Sequence, residues 1–170
     1  MKKTLFVLLV IVFNFSVIMA QQITPKLAFL EKWENSKNYL IAIAEAMPED
    51  VYNYKPTERE MTFKEQLVHI NENMEWLSSK YFNKKESEIS TTKNEKERII
   101  LNLKNSFKAV ALIITETPDE DLKETVEFFA GPKSKLQILN LLQDHVTHHR
   151  GQLIVYLNLN EIKPPKYSGW

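Results

Sequence analysis

The chain has 170 residues, enough for a single domain with its own hydrophobic core. Its 22 basic and 22 acidic residues balance, so we expect no basic surface of the kind that nucleic-acid binding needs. The absence of cysteine excludes disulfides and thiolate metal ligands, so a metal site must use histidine, aspartate or glutamate. Only three glycines occur, which argues against a turn-rich β fold.

The N-terminal segment has the pattern of a secretory signal. Lys2 and Lys3 precede an apolar run from Leu5 to Met19, and the small residue Ala20 follows. We therefore predict a cleaved signal peptide over residues 1–20. The domain over residues 21–170 is then secreted, periplasmic or extracellular, with no stable membrane association. An uncleaved membrane anchor is the alternative, although the apolar run is short for a membrane span. Removing residues 1–20 removes two lysines and no acidic residue, which leaves a formal charge of −2.

Two amphipathic helices are predicted in the first half of the domain. The first begins at Thr24-Pro25, a capping residue followed by proline in the first helical turn, and ends at Pro48. The second begins with the capping box Thr62-Phe-Lys-Glu65, in which each side chain satisfies an unpaired backbone amide. Spacings of three and four residues give the following core faces: Leu30, Trp33, Leu40, Ala44 and Met47 in the first helix, and Phe63, Leu67, Ile70, Met74, Leu77 and Tyr81 in the second.

Two more helices are predicted in the second half. The third begins at the capping box Thr92-Lys-Asn-Glu95 and stops at Thr117-Pro118. The fourth begins at Ser134-Lys-Leu-Gln137 and runs to Asn160, and the segment Val126–Phe129 before it is expected to be extended. The apolar stripes are Ile99, Leu103, Phe107, Val110 and Ile114 in the third helix, and Leu139, Leu142, Val146, Leu153 and Leu157 in the fourth. Four such helices predict an all-α fold, a four-helix bundle.

Histidines are the candidate functional residues. His145 and His149 are four apart in the fourth helix, so their rings stand on one helix face and can chelate one ion. His69 in the second helix could supply a third ligand, and three protein ligands would leave one coordination position for water or substrate. The alternative for His69 is an ordinary hydrogen-bonded histidine beside the core. His148, three residues after His145, could replace one partner but cannot easily face the same ion as His149.

Several catalytic motifs are absent. A zincin protease needs His-Glu-x-x-His with the glutamate as general base, and here Val146 follows His145. The chain contains neither a Gly-x-Ser-x-Gly elbow nor a phosphate-binding glycine loop.

The segment His145-Val-Thr-His-His149-Arg-Gly-Gln152, with a helix-borne His69 in "QLVHI" upstream, resembles the DinB-like family of metal-binding four-helix bundles. The resemblance extends over nearly all of residues 25–170. It implies that His69, His145 and His149 form the metal triad, with His148 at the neighbouring non-ligand position. It also implies an up-down-down-up bundle that often forms homodimers. Asn158 departs from the family, where many relatives place arginine, which puts in doubt an anionic-substrate contact from that position.

Two enzyme mechanisms are compatible with an open three-histidine site. The ion, zinc foremost with nickel or iron as alternatives, could activate a bound water as a metal-dependent hydrolase of a small molecule. It could instead bind a cofactor thiol as in the bacillithiol- or mycothiol-dependent transferases that the resemblance suggests, although export weakens this option because those thiols are kept inside the cell. A third interpretation is a non-catalytic bundle that the metal only stabilises.

Auxiliary groups are expected around the histidines. Asp144 and Glu72 could orient ligand imidazoles, with solvated helix charges as the alternative. Gln152, one turn beyond His149, could contact the substrate. Arg150 is expected to face solvent or to pair locally, with a structural role in the family motif as the alternative.

Overall fold

The computed structural model describes residues 23–83, 92 and 94–168, so the predicted signal peptide lies outside the described residues. Between the second and third helices only residues 83, 92 and 94 are described. Within the described ranges, none of the helices combines the length and the apolar character that a membrane span requires. The elements are helices α1 (Pro25–Ala46), α2 (Phe63–Phe82), α3 (Glu95–Glu116) and α4 (Lys135–Leu159), two 3₁₀ turns (Glu49–Val51 and Asp121–Lys123), and strands β1 (Thr125–Val126) and β2 (Lys133–Ser134).

Three of the four helices begin at the predicted caps. Thr24 accepts a hydrogen bond from the backbone amide of Leu27. Both partners of the Thr62–Glu65 capping box are present at the start of α2, and Ser134 and Gln137 form the same arrangement at the start of α4. These contacts satisfy amides that the first helical turn leaves without partners.

The predicted start of α3 is wrong by two residues. The capping residue is Asn94, whose side chain accepts from the backbone amide of Glu97, and not Thr92. An asparagine side chain reaches the third amide as well as a threonine does, so the two caps compete and the structure selects the later one.

The helix directions follow from contacts between named pairs. Lys26 reaches Asp119, and Glu45 reaches Lys104, so α1 and α3 are antiparallel. Helices α2 and α3 are parallel. Lys64 at the start of α2 reaches Glu95 at the start of α3, and farther along both helices Glu75 reaches Ser106.

The fourth helix, α4, packs between α1 and α2. It runs antiparallel to α2, because Gln66 near the start of α2 meets Tyr156 near the end of α4. It runs parallel to α1, since Ser36 contacts Gln143 and Tyr39 contacts Arg150. The bundle is therefore up-down-down-up, with α1 diagonally opposite α2 and α4 packed against both.

The core is continuous and apolar along the bundle axis. Of the predicted core residues in the first three helices, all are buried except Leu30, which is half-buried while its neighbour Phe29 takes the core position. The Trp33 ring packs at a tilt of 44° against that of Phe107 and donates its indole N–H to the Phe107 carbonyl oxygen at 3.0 Å, so the largest core side chain has a hydrogen-bond partner.

A short β-hairpin joins α3 to α4. Thr125 lies opposite Ser134 and Val126 opposite Lys133, so the extended segment is shorter than predicted. Gly131 has φ of +88°, a conformation that glycine adopts without the steric cost that other residues bear. The C-terminal tail returns over the bundle, where the ring of Tyr167 meets that of Tyr39 edge to face at 5.7 Å.

Candidate metal centre

Three histidines from two helices converge between α2 and α4. His69 comes from α2, and His145 and His149 come from successive turns of α4. One ring nitrogen of each lies within 4.8 Å of one in each of the others. The Nε2 atoms of His69 and His145 are 3.1 Å apart, although 76 positions separate the two residues in the chain. The antiparallel packing of α2 on α4 thus brings together the three residues that the resemblance implies as ligands.

One separation within the cluster matches that expected between two ligands of a single ion. Zinc bound by imidazole at 2.0–2.1 Å in tetrahedral geometry separates neighbouring ligand atoms by about 3.3 Å. The 3.1 Å between the Nε2 atoms of His69 and His145 is close to that value. Zinc, nickel and iron all accept imidazole nitrogen, so the donor set fits a divalent transition metal and does not distinguish among the three.

Burial favours the neutral form of two of these histidines, His145 and His149. His149 is buried, and His69 and His145 are half-buried, so solvent still reaches the cluster. Burial, followed by the charges that His149, His69 and His148 would carry, lowers the pKa of His145 to about 4. Burial and the neighbouring His69 and His148 also lower the pKa of His149. At neutral pH the imidazoles of His145 and His149 are therefore uncharged, and each has one ring nitrogen without a proton that can donate its lone pair to a metal.

Two side-chain amides contact one of the ligand rings, that of His149. The Nδ1 atom of His149 lies 2.5 Å from Oε1 of Gln66 and 3.0 Å from Oε1 of Gln152. Gln66 is only 2% exposed, and sequence reasoning missed it. The sequence did contain a sign of this role. Gln66 is a polar residue three positions before His69, beside the apolar stripe of α2, and that spacing puts it on the same helix face as His69.

The two predicted carboxylates do not reach the site. Glu72 and Asp144 are exposed, and neither makes a hydrogen bond to an imidazole within the described ranges. Asp144 lines a groove between α1 and α4 together with Lys32 and Phe29. The expectation that these side chains orient the ligands is therefore corrected: the amides of Gln66 and Gln152 contact His149. The buried Nδ1 of His145 has no hydrogen-bond partner among the described residues.

Arg150 corrects a second expectation. It is 4% exposed and does not face solvent. Its Nη1 donates to Oγ of Ser36 at 3.2 Å, and its guanidinium lies 5.2 Å from the ring centre of Tyr39. No acidic side chain of the described residues pairs with it, so a hydroxyl and an aromatic face stabilise this buried cation. Both of these partners belong to α1.

Known proteins share this architecture. The crystal structure of a DinB-like protein, YjoA of Bacillus subtilis, matches with a TM-score of 0.68 and 22% identity over 83% of this chain and 97% of that one. A DinB-like protein of Bacillus cereus ATCC 10987 matches with a TM-score of 0.69 and 19% identity, covering 81% of this chain and 93% of its own.

The sequence comparisons agree with the structural ones. The uncharacterized protein YjoA of Bacillus subtilis strain 168 is 26% identical over 128 residues, which is 71% of this chain and 81% of YjoA. The profile of the DinB family matches residues 19–167. With that match spanning most of its length, and with the four-helix bundle and the histidine cluster in place, the chain belongs to the DinB family.

Proposed function

We propose that this protein is an exported, metal-dependent hydrolase of a small molecule, with His69, His145 and His149 as the protein ligands of one divalent ion. The observation that carries the proposal is the convergence of three imidazoles with no carboxylate beside them in the described part of the chain. Three protein ligands leave a tetrahedral ion one open position, which is the arrangement of catalytic zinc sites. The signal-like pattern of residues 1–20 supports export.

A divalent ion in such a site supplies Lewis-acid chemistry, polarising a substrate oxygen and lowering the pKa of bound water toward ~7. The chain supplies three imidazoles to hold the ion. Half-buried Gln152 stands at the edge of the cluster, one turn from His149, where its amide can donate to a substrate oxygen.

Two alternatives remain open to test. In a thiol transferase the nucleophile must come from a cofactor, since the chain has no cysteine. In a non-catalytic bundle the ion would only stabilise the fold.

The decisive experiment removes the metal from the purified protein with a chelator and restores zinc, nickel or iron separately. Each form is assayed against esters, thioesters, lactones and phosphoesters, and then against electrophiles with and without an added low-molecular-weight thiol. His149→Ala is the matched inactive control, and circular dichroism monitors folding of every form.

Metal-restored hydrolysis that needs no thiol, and that is absent in the folded His149→Ala variant, supports the hydrolase. Turnover that appears only with an added thiol replaces it with the transferase. Metal binding without turnover of any substrate would favour a structural bundle, and failure to bind any of the three metals would end the metal-site proposal.

A further inference from the structure

The protonation of His149 has to be controlled if it is a metal ligand. A neutral imidazole carries one proton, on either Nδ1 or Nε2, and only the nitrogen without it can bind a metal. In His149 the Nδ1 atom faces Gln66 and Gln152, and so Nε2 is the nitrogen left for an ion. The ring must therefore hold its proton on Nδ1.

A chain of hydrogen bonds starts at Nδ1 of His149 and ends at the backbone. Oε1 of Gln66 lies 2.5 Å from Nδ1, and Nε2 of Gln66 lies 3.5 Å from the hydroxyl of Tyr156. That hydroxyl is in turn 2.8 Å from the carbonyl oxygen of Met61, in the segment that precedes α2. Gln66 and Tyr156 are 2% and 3% exposed, so water does not compete for these groups.

The backbone carbonyl of Met61, where this series of hydrogen bonds ends, sets the direction of every bond in the series. A backbone carbonyl only accepts, so Tyr156 donates its proton to Met61. The hydroxyl oxygen is then an acceptor, so Gln66 must present its NH₂ group to Tyr156 and its carbonyl oxygen to His149. An amide oxygen requires a donor opposite it, which places the proton on Nδ1.

We propose that Gln66, itself oriented by Tyr156, is a positioning residue that fixes His149 as the Nδ1–H tautomer and so keeps its Nε2 lone pair free for a metal. The proposal rests on the metal site proposed above, but the tautomer itself is a property of the metal-free protein. The direction of these hydrogen bonds is set by the backbone carbonyl of Met61, which can only accept and so cannot exchange roles with its partner by a side-chain rotation.

Gln152 is not equivalent to Gln66. One Nδ1–H group cannot donate fully to two oxygens, and Gln66 is the nearer acceptor by 0.5 Å. Gln152 is half-buried, and among the described residues its amide makes no other hydrogen bond. No other contact among the described residues fixes the orientation of that amide, so Gln152 can leave His149 without changing the tautomer.

The test compares Gln66→Met with Gln152→Met. Each change removes an amide and keeps an unbranched side chain of similar length. Tyr156→Phe is a milder third variant that leaves Gln66 in place and keeps the ring that packs edge to face on Tyr54. Two-bond ¹H–¹⁵N correlation spectra of the metal-free proteins report the tautomer of His149. Competition with a chromophoric chelator reports zinc affinity.

We expect the wild type and Gln152→Met to show the Nδ1–H tautomer with equal zinc affinity. Gln66→Met should shift His149 toward the Nε2–H tautomer and lower zinc affinity by about 10- to 100-fold, the range for loss of a partner that orients a ligand. Tyr156→Phe should shift the tautomer in the same direction by a smaller amount.

An unchanged tautomer in both Gln66→Met and Tyr156→Phe would overturn the proposal, as would a shift caused by Gln152→Met instead. The proposed function is tested independently of this inference. If the protein binds no metal, the spectra of the metal-free variants still show whether Gln66 sets the tautomer of His149. A protein that binds zinc with an unperturbed tautomer in every variant would retain the metal site and lose this inference.

Discussion

His148 and His149 are neighbours in the chain and their rings meet edge to face with centroids 4.9 Å apart, yet only His149 belongs to the cluster with His69 and His145. Consecutive residues of an α-helix point about 100° apart, so the face of α4 that meets α2 takes one of the two rings and leaves the other exposed.

This difference predicts distinct metal contents for two adjacent substitutions. We expect about one ion per chain in the wild type and in His148→Ala, and none in His149→Ala or His69→Ala, because loss of one ligand leaves two. Plasma mass spectrometry of the purified proteins measures this directly. Equal loss of metal in His148→Ala and His149→Ala would show that the ligand assignment is wrong.

The start of α3 predicts a second pair of outcomes. Asn94→Ala removes the side chain that caps the helix and should lower the free energy of unfolding by about 1 kcal/mol. Thr92→Ala removes no helix cap and should change it by no more than about 0.5 kcal/mol. Urea denaturation at constant pH gives both values. A larger effect at Thr92 than at Asn94 would restore the cap position that the sequence predicted.

Arg150 predicts a stability effect without a metal effect. Arg150→Ala leaves space beneath Tyr39 and should lower the free energy of unfolding by about 2 to 4 kcal/mol, as other large-to-small core changes do. Arg150→Met restores most of the volume without the charge and should recover much of that loss, because no acidic side chain of the described residues depends on the guanidinium. Denaturant unfolding measures the effect, and metal content should stay at the wild-type level in both variants.

The C-terminal tail predicts a modest contribution to stability. Truncation after Pro165 removes the Tyr167 ring from Tyr39, a contact of a kind worth about 0.5–1.5 kcal/mol. The melting temperature should fall by about 2–6 °C. Tyr167→Phe keeps the ring and serves as the control, with an unchanged melting curve. If truncation also leaves the curve unchanged, the tail does not stabilise the bundle.

Local rules predicted the helices well because each is marked at both ends. Proline or a capping box starts α1, α2 and α4, and the stripe from Ile99 to Ile114 is buried as its spacing indicates. The error at α3 arose where two capping residues, Thr92 and Asn94, stand two positions apart and both precede glutamates. Local sequence gives no means of choosing between them.

Contacts between helices were harder to predict than the helices. Asp144 was expected to reach an imidazole and Arg150 to reach solvent, and both expectations fail for the same reason. Each is adjacent to a histidine and therefore turned about 100° away from it, and only the packing of α1 decides whether that direction is covered. Gln66 was missed because its partner is 83 positions away on another helix.

The order of the helices means that a metal bound at the histidine cluster would link two distant parts of the chain. His69 and His145 lie on helices whose covalent link passes through the whole of α3, so an ion between them would close a loop of 76 residues. For a disulfide, a loop of that size removes unfolded-state entropy equivalent to about 4 kcal/mol. Many proteins obtain such a restraint from a disulfide; this chain has no cysteine, and a coordinated ion would provide a reversible cross-link in its place.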